Sequence, residues 1–342
     1  MTPPVLLCIY NRLECTKRVV EAMRVVQPPR IFIAADGPRG DEDEARCAQV
    51  RAAALNAIDW SCEVTCDFST VNMGVRRRII SAIDWVLSQS DSAIILEDDC
   101  LPHPDFFGFC TDLLERYAND ERVMMITGTN PLLRWRNTAD PASYHFTRWS
   151  MTWGWATWRR AWRHFDDDMR VLDDPSVMAR IAALADADTF QRQMSHWQRM
   201  KAGAQDTWDY QWSLACLAQD GVAVCPATNL ITNIGFDTHS THTRNPLAVA
   251  AHLPQIELEM PLVHPRAVMP DRDYEAIMLR WLAGKPDEVM VEQHARHAMA
   301  NGRALRAVLM LRAFFAAQRG SSQNPALTVL HDLALAHLKE AQ

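Results

Sequence analysis

The chain has no glycine-rich phosphate loop. Neither GxGxxG nor GxxxxGK[ST] occurs in its 342 residues, and no such loop opens the N-terminal strand. Those glycines let a backbone approach a pyrophosphate closely, so their absence counts against a Rossmann dehydrogenase, a P-loop kinase or ATPase, and a sugar-nucleotide synthase. A CxxC pair is also missing. The nine cysteines are an odd number and Cys62 and Cys66 are spaced CxxxC, which argues against a zinc site. Positive charge is not in excess either: a net charge of −7 speaks against broad binding to a phosphate backbone, and no nucleic-acid partner is expected. The opening MTPPVLLCIYNR carries no basic segment followed by an apolar leader, and no run of about 18 apolar residues suggests a membrane span. The expectation is a soluble, reduced, cytoplasmic protein. No internal repeat or low-complexity linker interrupts the chain.

What is there suffices for at least one sizeable core, with 48% hydrophobic residues. The first 130 residues alternate short apolar runs with segments of helical period. Val5–Tyr10, Arg30–Ala35, Cys62–Phe68, Ala93–Leu96 and Arg122–Thr127 read as strands. Between them, Val19, Val20, Met23 and Val26 share one helical face, residues 41–58 form an Ala- and charge-rich helix, and Val75, Ile79, Ile80, Ile83, Val86 and Leu87 recur at helical spacing. Strands alternating with helices imply a mainly parallel α/β sheet covered on both faces, with ligands outside the carboxyl ends of the strands. The distinctive polar residues all follow strands: Asn11-Arg12, Asp36-Gly37, Asn72-Met73-Gly74 and Glu97-Asp98-Asp99.

The last of these groups carries the most chemistry. IILEDDC (94–100) is an apolar run that stops in three consecutive carboxylates. Two readings compete: a strand running out into an acidic loop, or hard oxygen ligands for Mg²⁺ or Mn²⁺. A divalent ion offsets charge on a departing diphosphate and lowers the barrier to breaking the bond to it. Without a glycine cradle, a diphosphate must be held by metal and by cationic side chains, for which Arg12 and Arg76 are available.

Downstream, RWSMTWGWATWRRAWRHFDDD (148–168) is rich in tryptophan. Trp155, Trp158 and Trp162, at i, i+3 and i+7, read as the buried face of a helix. Trp149 and Trp153 are expected to be more exposed, and Trp153, beside Gly154, is a candidate for stacking on the apolar face of a sugar. Asp166-Asp167-Asp168 reads as a solvated face. DTWDYQW (206–212) supplies Asp206 and Asp209, one of which could serve as a base while Asp206 could instead cap a helix. The tail is helical, and ALRAVLMLRAFFAAQRG (304–320) is read as packing against the catalytic domain or another subunit, with contact to a membrane surface as the less favoured alternative.

Taken together, PVLLCIYNR, IFIAADGPR, NMG before a basic helix start, IILEDDCLPHPDFF, WGWATWRRAW, DTWDYQW and NLITNIGF…THT resemble, in that order, the GT-A glycosyltransferases. The resemblance covers about residues 3–243 and extends more distantly to animal N-acetylglucosaminyltransferase I. It implies a GT-A catalytic domain over 1–250, with a nucleotide-sugar-binding half (1–130) and an acceptor-side half (131–250), followed by a mainly helical extension (251–342). It further implies Arg12 and Asp36 at the nucleotide, Asp36 at the base, and Asn72 and Arg76 near the nucleotide-sugar. Asp99 would ligate Mn²⁺ or Mg²⁺, Asp98 would hold the sugar or ribose, and Glu97 would support them. Asp209 would be the catalytic base, and His242 would reach the diphosphate or the metal. The implied activity is inverting transfer from a nucleoside diphosphate-sugar, a UDP-sugar such as UDP-GlcNAc, to a saccharide, lipid-linked or protein hydroxyl. A non-catalytic carbohydrate-binding protein and a nucleotide-sugar hydrolase or nucleotidyltransferase are the alternatives.

Overall fold

The computed structural model describes residues 3–137, 139–235, 253–282, 287–317 and 324–340. In the first hundred residues the apolar runs become strands and the periodic segments become helices. β1 (Val5–Ile9) leads into α1 (Leu13–Val26), β2 (Arg30–Ala35) into α2 (Asp41–Ala57), and β3 (Glu63–Phe68) into α3 (Val75–Gln89); β4 (Ser92–Glu97) then delivers the acidic triplet. Next come β5 (Cys100–Pro102), α4 (Pro104–Arg116) and β6 (Val123–Thr127). His103 caps α4: its Nδ1 accepts from the backbone N–H of Asp105 at 3.2 Å, and the first helical position is taken by Pro104.

The tryptophan-rich stretch departs from expectation. Trp155–Trp158 is a strand, β8, preceded by β7 (Tyr144–Thr147), and the helix is only the short α5 (Arg159–Trp162). Trp155 and Trp158 therefore point to opposite sides of the sheet, where a helix would have put them on one face. Their bulk is buried either way, so burial alone could not separate the two readings; Trp149, expected to be more exposed, is instead buried in the cluster that joins Trp197 and Tyr274. The chain continues through α6 (Pro175–Ala182), α7 (Ala187–Lys201), α8 (Asp209–Ala218), β9 (Val222–Pro226), β10 (Ile231–Asn233), α9 (Arg272–Leu282), α10 (Glu288–Ala300), α11 (Ala304–Ala317) and α12 (Pro325–Glu340).

Eight strands form one mixed sheet in the order β3-β2-β1-β4-β8-β6-β9-β7, while β5 and β10 make a separate antiparallel pair. β3, β2, β1 and β4 are parallel, as are β6 and β9; β8 runs antiparallel to both its neighbours, and β7 to β9. The chain leaves β1 toward β2 on one side and later returns to β4 on the other. That divergence opens a crevice beyond the carboxyl ends of β1 and β4.

Apolar side chains cover both faces, as parallel strands require. Leu7, Ile9, Ile33, Ile94 and Leu96 pack with Val19 and Met23 of α1 and Phe106 and Leu113 of α4. Leu6, Cys8, Phe32 and Ile95 face the other way, against Ile79, Ile83 and Val86 of α3 and Trp212 of α8. Each fully buried Leu, Ile or Phe contributes about 1.5–3 kcal/mol, so these two layers hold the strand ends in place. A third cluster joins Trp149, Trp197, Met200 and Leu214 to Tyr274 and Ile277 of α9. The last three helices pack largely on one another through Val291, Ala307, Leu311, Phe314, Leu327 and Leu330. Among the described residues, no helix is long and apolar enough to cross a membrane.

Candidate active site

A cleft of about 510 Å³ opens at the carboxyl ends of β1 and β4, lined on one side by Tyr10, Arg12 and the triplet and on the other by residues 205–210. The register explains the gathering. Cys8 of β1 sits opposite Glu97 of β4, so the chain leaving β1 runs directly beside the acidic turn. The backbone N–H of Tyr10 donates to Asp98 Oδ2 at 3.1 Å. Arg12 donates through Nη1 to Asp99 Oδ2, and the same nitrogen lies 3.7 Å from Asp98 Oδ1. Burial works against the Arg12 charge, but the Asp98 and Asp99 carboxylates outweigh it and keep the guanidinium protonated.

One guanidinium does not balance three carboxylates. Burial, with the Asp99 charge next, holds the Glu97 carboxyl above its usual range, and Asp209 adds to that field from across the cleft. Asp98 is raised by the same two causes in the same order, and only 7% of its surface is exposed. Excess negative charge at a strand end is an environment that a divalent cation relieves. Among the described residues, no group of three or more His, Cys, Asp or Glu is arranged to hold a metal unaided. The hard oxygens of Asp99 and its neighbours fit an ion that takes one or two carboxylates from the protein and completes its shell with water and phosphate, the habit of Mg²⁺.

Ile234 and Gly235, just after β10, pass close against this corner. β10 pairs antiparallel with β5, and the Ile234 N–H donates to the Asp99 carbonyl at 2.8 Å. A Cβ on Gly235 would overlap Asp99 Oδ2 and come within 2.7 Å of Arg12 Nη1, so only a glycine lets the backbone pass so close to the ion pair. His242, like His239, lies outside the described residues.

Asp36 ends β2 and lines the cleft, but its oxygens are already engaged. Oδ1 accepts from the N–H groups of Gly37 and Met73 at 2.9 and 2.8 Å; Oδ2 accepts from Gly74 N–H and Asn72 Nδ2, both at 3.1 Å. Asn72 also donates to the Gly37 carbonyl at 2.8 Å. The two residues thus hold the Asn72–Gly74 turn in shape. Arg76 is not part of the cleft wall: its Nε and Nη2 donate to Asp167 Oδ1 and the Asp167 carbonyl at 2.7 and 2.8 Å. The second acidic run is therefore partly a counter-ion for α3, with Asp166 accepting from Arg170 N–H at 2.7 Å, and not only a solvated face.

Across the cleft, Asp209 is the first residue of α8, and its Oδ1 accepts from Thr207 Oγ1. Tyr210 beside it stacks on His196, ring centres 5.4 Å apart. Asp206 caps a helix, but not α8: its carboxylate accepts from Val75 and Arg76 N–H at the start of α3. Trp153 lines the cleft, half-buried, its carbonyl accepting from Thr129 Oγ1 at 2.7 Å.

Several wall residues escaped the sequence reading. Tyr10 donates through its hydroxyl to Asp43 Oδ2 at 2.7 Å; Asn11 and Arg39 converge on the same carboxylate at 2.9 and 3.2 Å. Arg39 could have been suspected, because ADGPR follows a strand as directly as Asn11-Arg12 does. Arg78 is buried in the wall, bound to Asp67 through Nη1 at 2.8 Å, while its Nε has no partner. Helical phase did not carry that signal: Arg78 precedes Ala82 by one turn, but Arg76 precedes Ile79 and Ile80 just as closely, and only their partners, Asp67 and Asp167, separate the two.

Comparison with known proteins adds little. No family model matches the chain, and no curated protein matches it either. Among solved structures, a mannosyltransferase from Pyrobaculum calidifontis in complex with GDP-Man and Mn²⁺ is similar over 99% of this chain and 86% of its own, at 12% identity and a TM-score of 0.38. A superposition that loose carries no argument about the chemistry of the cleft.

Proposed function

We propose that the chain is a divalent-metal-dependent glycosyltransferase of the GT-A kind. It would take a nucleoside diphosphate-sugar, a UDP-sugar such as UDP-GlcNAc, and transfer the sugar with inversion to a hydroxyl acceptor. The observation that carries this reading is the opposition of Glu97-Asp98-Asp99 and Asp209 across one cleft at the sheet's crossover point. A binding protein has no need of carboxylates on both walls, one set crowded and the other at the start of a helix.

Asp99, with Asp98 beside it, would hold Mn²⁺ or Mg²⁺; when bound, the ion offsets charge on the diphosphate as it leaves. Arg12 stands next to that position as the protein's own cation. The acceptor oxygen attacks C1 as the C1–O bond to the diphosphate breaks, and that bond's electron pair stays on the phosphate oxygen. The acceptor proton passes to Asp209, a base contribution of about 10²–10⁴ in rate. Thr207 orients the Asp209 carboxylate by donating to Oδ1. Trp153 offers an apolar surface for a sugar ring, and the Asp36–Asn72 turn shapes the nucleotide end. His242 remains a candidate for the diphosphate.

Titration calorimetry with UDP, GDP and UDP-GlcNAc, with and without Mn²⁺, tests the reading. Mn²⁺-dependent binding that Asp99→Ala abolishes is expected; unchanged affinity in that variant sinks the metal assignment. Sugar-nucleotide breakdown that no acceptor can divert would move the protein to the hydrolases. NMR of the product's anomeric proton decides inversion.

A further inference from the structure

α3 begins without a local cap. Gly74 precedes it, has no side chain, and adopts a φ of 81°, a conformation that favours glycine. The free N–H groups at a helix start attract an anion, and this helix start takes its anion from the far side of the cleft. Asp206 Oδ2 accepts from Val75 N–H at 2.9 Å and Oδ1 from Arg76 N–H at 3.2 Å, across 131 and 130 residues of sequence. The fit is close: a Cβ on Gly74 would stand 2.6 Å from Asp206 Oδ2.

The other end of the same turn hangs from Asp36, which accepts the N–H groups of Met73 and Gly74. Residues 73–76 therefore donate four consecutive backbone N–H groups to two carboxylates, one on each side. Asp36 belongs to the strand wall and Asp206 to the segment that carries Asp209 three residues later. Charge-assisted bonds of this type are about twice as strong as neutral ones, and here they join the two walls of the cleft.

We infer that Asp206 is a positioning residue: it docks the 205–210 segment on the start of α3 and so sets where the Asp209 carboxylate stands relative to a bound donor. The inference rests on the reading of Asp209 as the base. A cap that only stabilised α3 would leave the 205–210 segment unaffected by its loss. A positioning residue moves both segments, and a displacement of about 1 Å in a reacting group can cost 10² in rate.

The experiment compares the full chain with Asp206→Ala and Asp206→Asn, the latter keeping one acceptor oxygen and a side chain that caps helices well. Hydrogen exchange is expected to rise about tenfold or more in residues 73–77 and 205–210 together in the alanine variant, with 213–218 of α8 unchanged. A rise confined to 73–77 overturns the inference, whatever the enzyme does. With UDP-GlcNAc and Mn²⁺ as the probe, kcat is expected to fall at least about tenfold while the donor KM stays within about threefold, and Asp206→Asn recovers part of the loss. Adding Asp206→Ala to Asp209→Asn is expected to cost nothing further; additive losses overturn the inference. A wild-type chain that neither binds nor turns over any nucleotide-sugar overturns the glycosyltransferase reading instead, and the exchange result still decides whether Asp206 docks the segment.

Discussion

Arg12 Nη1 reaches both Asp99 Oδ2 and Asp98 Oδ1, the latter at 3.7 Å, so one guanidinium serves two of the three carboxylates at the end of β4. The arrangement is a protein-supplied cation standing where a divalent ion would be attracted. On the proposed reading, Arg12 and a metal would compete for Asp99 before they cooperate on a diphosphate.

Arg12→Ala separates those roles. With no metal present, the variant leaves the triplet without its counter-charge, and a stability loss of about 2 kcal/mol in urea unfolding is expected. Removing a positive neighbour also strengthens the triplet's pull on a cation, so Mn²⁺ affinity, read by electron paramagnetic resonance, is expected to tighten about tenfold. UDP affinity in saturating Mn²⁺ is expected to weaken. Weaker Mn²⁺ binding in the variant would mean that Arg12 supports the metal position rather than competing for it.

Asp209→Asn keeps the shape of the first residue of α8 and its contact with Thr207 but removes the proposed base. Donor binding by calorimetry should match the wild type, and product formation should fall at least about 10²-fold. Activity within a few-fold of the parent assigns the proton to another group.

Gly74→Ala places a methyl group against the Asp206 carboxylate in a backbone conformation that alanine tolerates poorly. A loss of about 1–3 kcal/mol is expected from backbone strain and the displaced cap. The variant should reproduce the exchange pattern of Asp206→Ala. Wild-type stability would mean that the turn has room the structure does not show.

His294 is buried, and its Nε2 donates to the Pro131 carbonyl at 2.7 Å. Burial pushes its pKa down from 6.5 to about 4. In the unfolded chain it would take a proton near pH 6.5, so between 6.5 and 4 the unfolded state binds more protons and stability falls as pH falls. The raised carboxyls of Glu97 and Asp98 work in the opposite sense over part of this range, so the comparison is with His294→Gln rather than with neutral pH alone. From pH 7 to pH 5 the wild type is expected to lose roughly 2 kcal/mol relative to that variant in urea unfolding. A constant difference would mean that the folded protein accommodates the charged ring. His145, buried against Tyr274 and likewise lowered to about 4, predicts the same trend.

The N-terminal half of the fold was legible because its signals are local. Apolar runs of five or six residues, helical spacing between them and polar residues at every strand end describe parallel strands with a ligand edge. The tryptophan stretch was misread because i, i+3, i+7 spacing fits a helix, while the short run WATW fits a strand equally well. Only pairing with β4 and β6, which no local pattern encodes, decides between them. At the site, which residues gather was easier to read than which way they turn. Asp36 and Asn72 reach the cleft but spend their hydrogen bonds on a turn, and Arg76 turns to Asp167. These are choices between a ligand-facing and a neighbour-facing rotamer, and they depend on partners about 90 residues away in the case of Arg76. Asp206 shows the same limit: its capping chemistry was legible and its helix was not.

β8 has a further consequence. In the large sheet, among the described residues, β3-β2-β1-β4 and β6-β9-β7 meet only through these four residues, which pair with β4 on one edge and β6 on the other. Trp155 is locked into one core layer and Trp158 into the other, so a slip of one residue would turn each ring toward the wrong layer. The strand acts as a gauge block between the two half-sheets. The buried seam then sets the spacing of the half-sheets, and the Asp206 contact places Asp209 upon it, so the span between Asp99 and Asp209 answers to both.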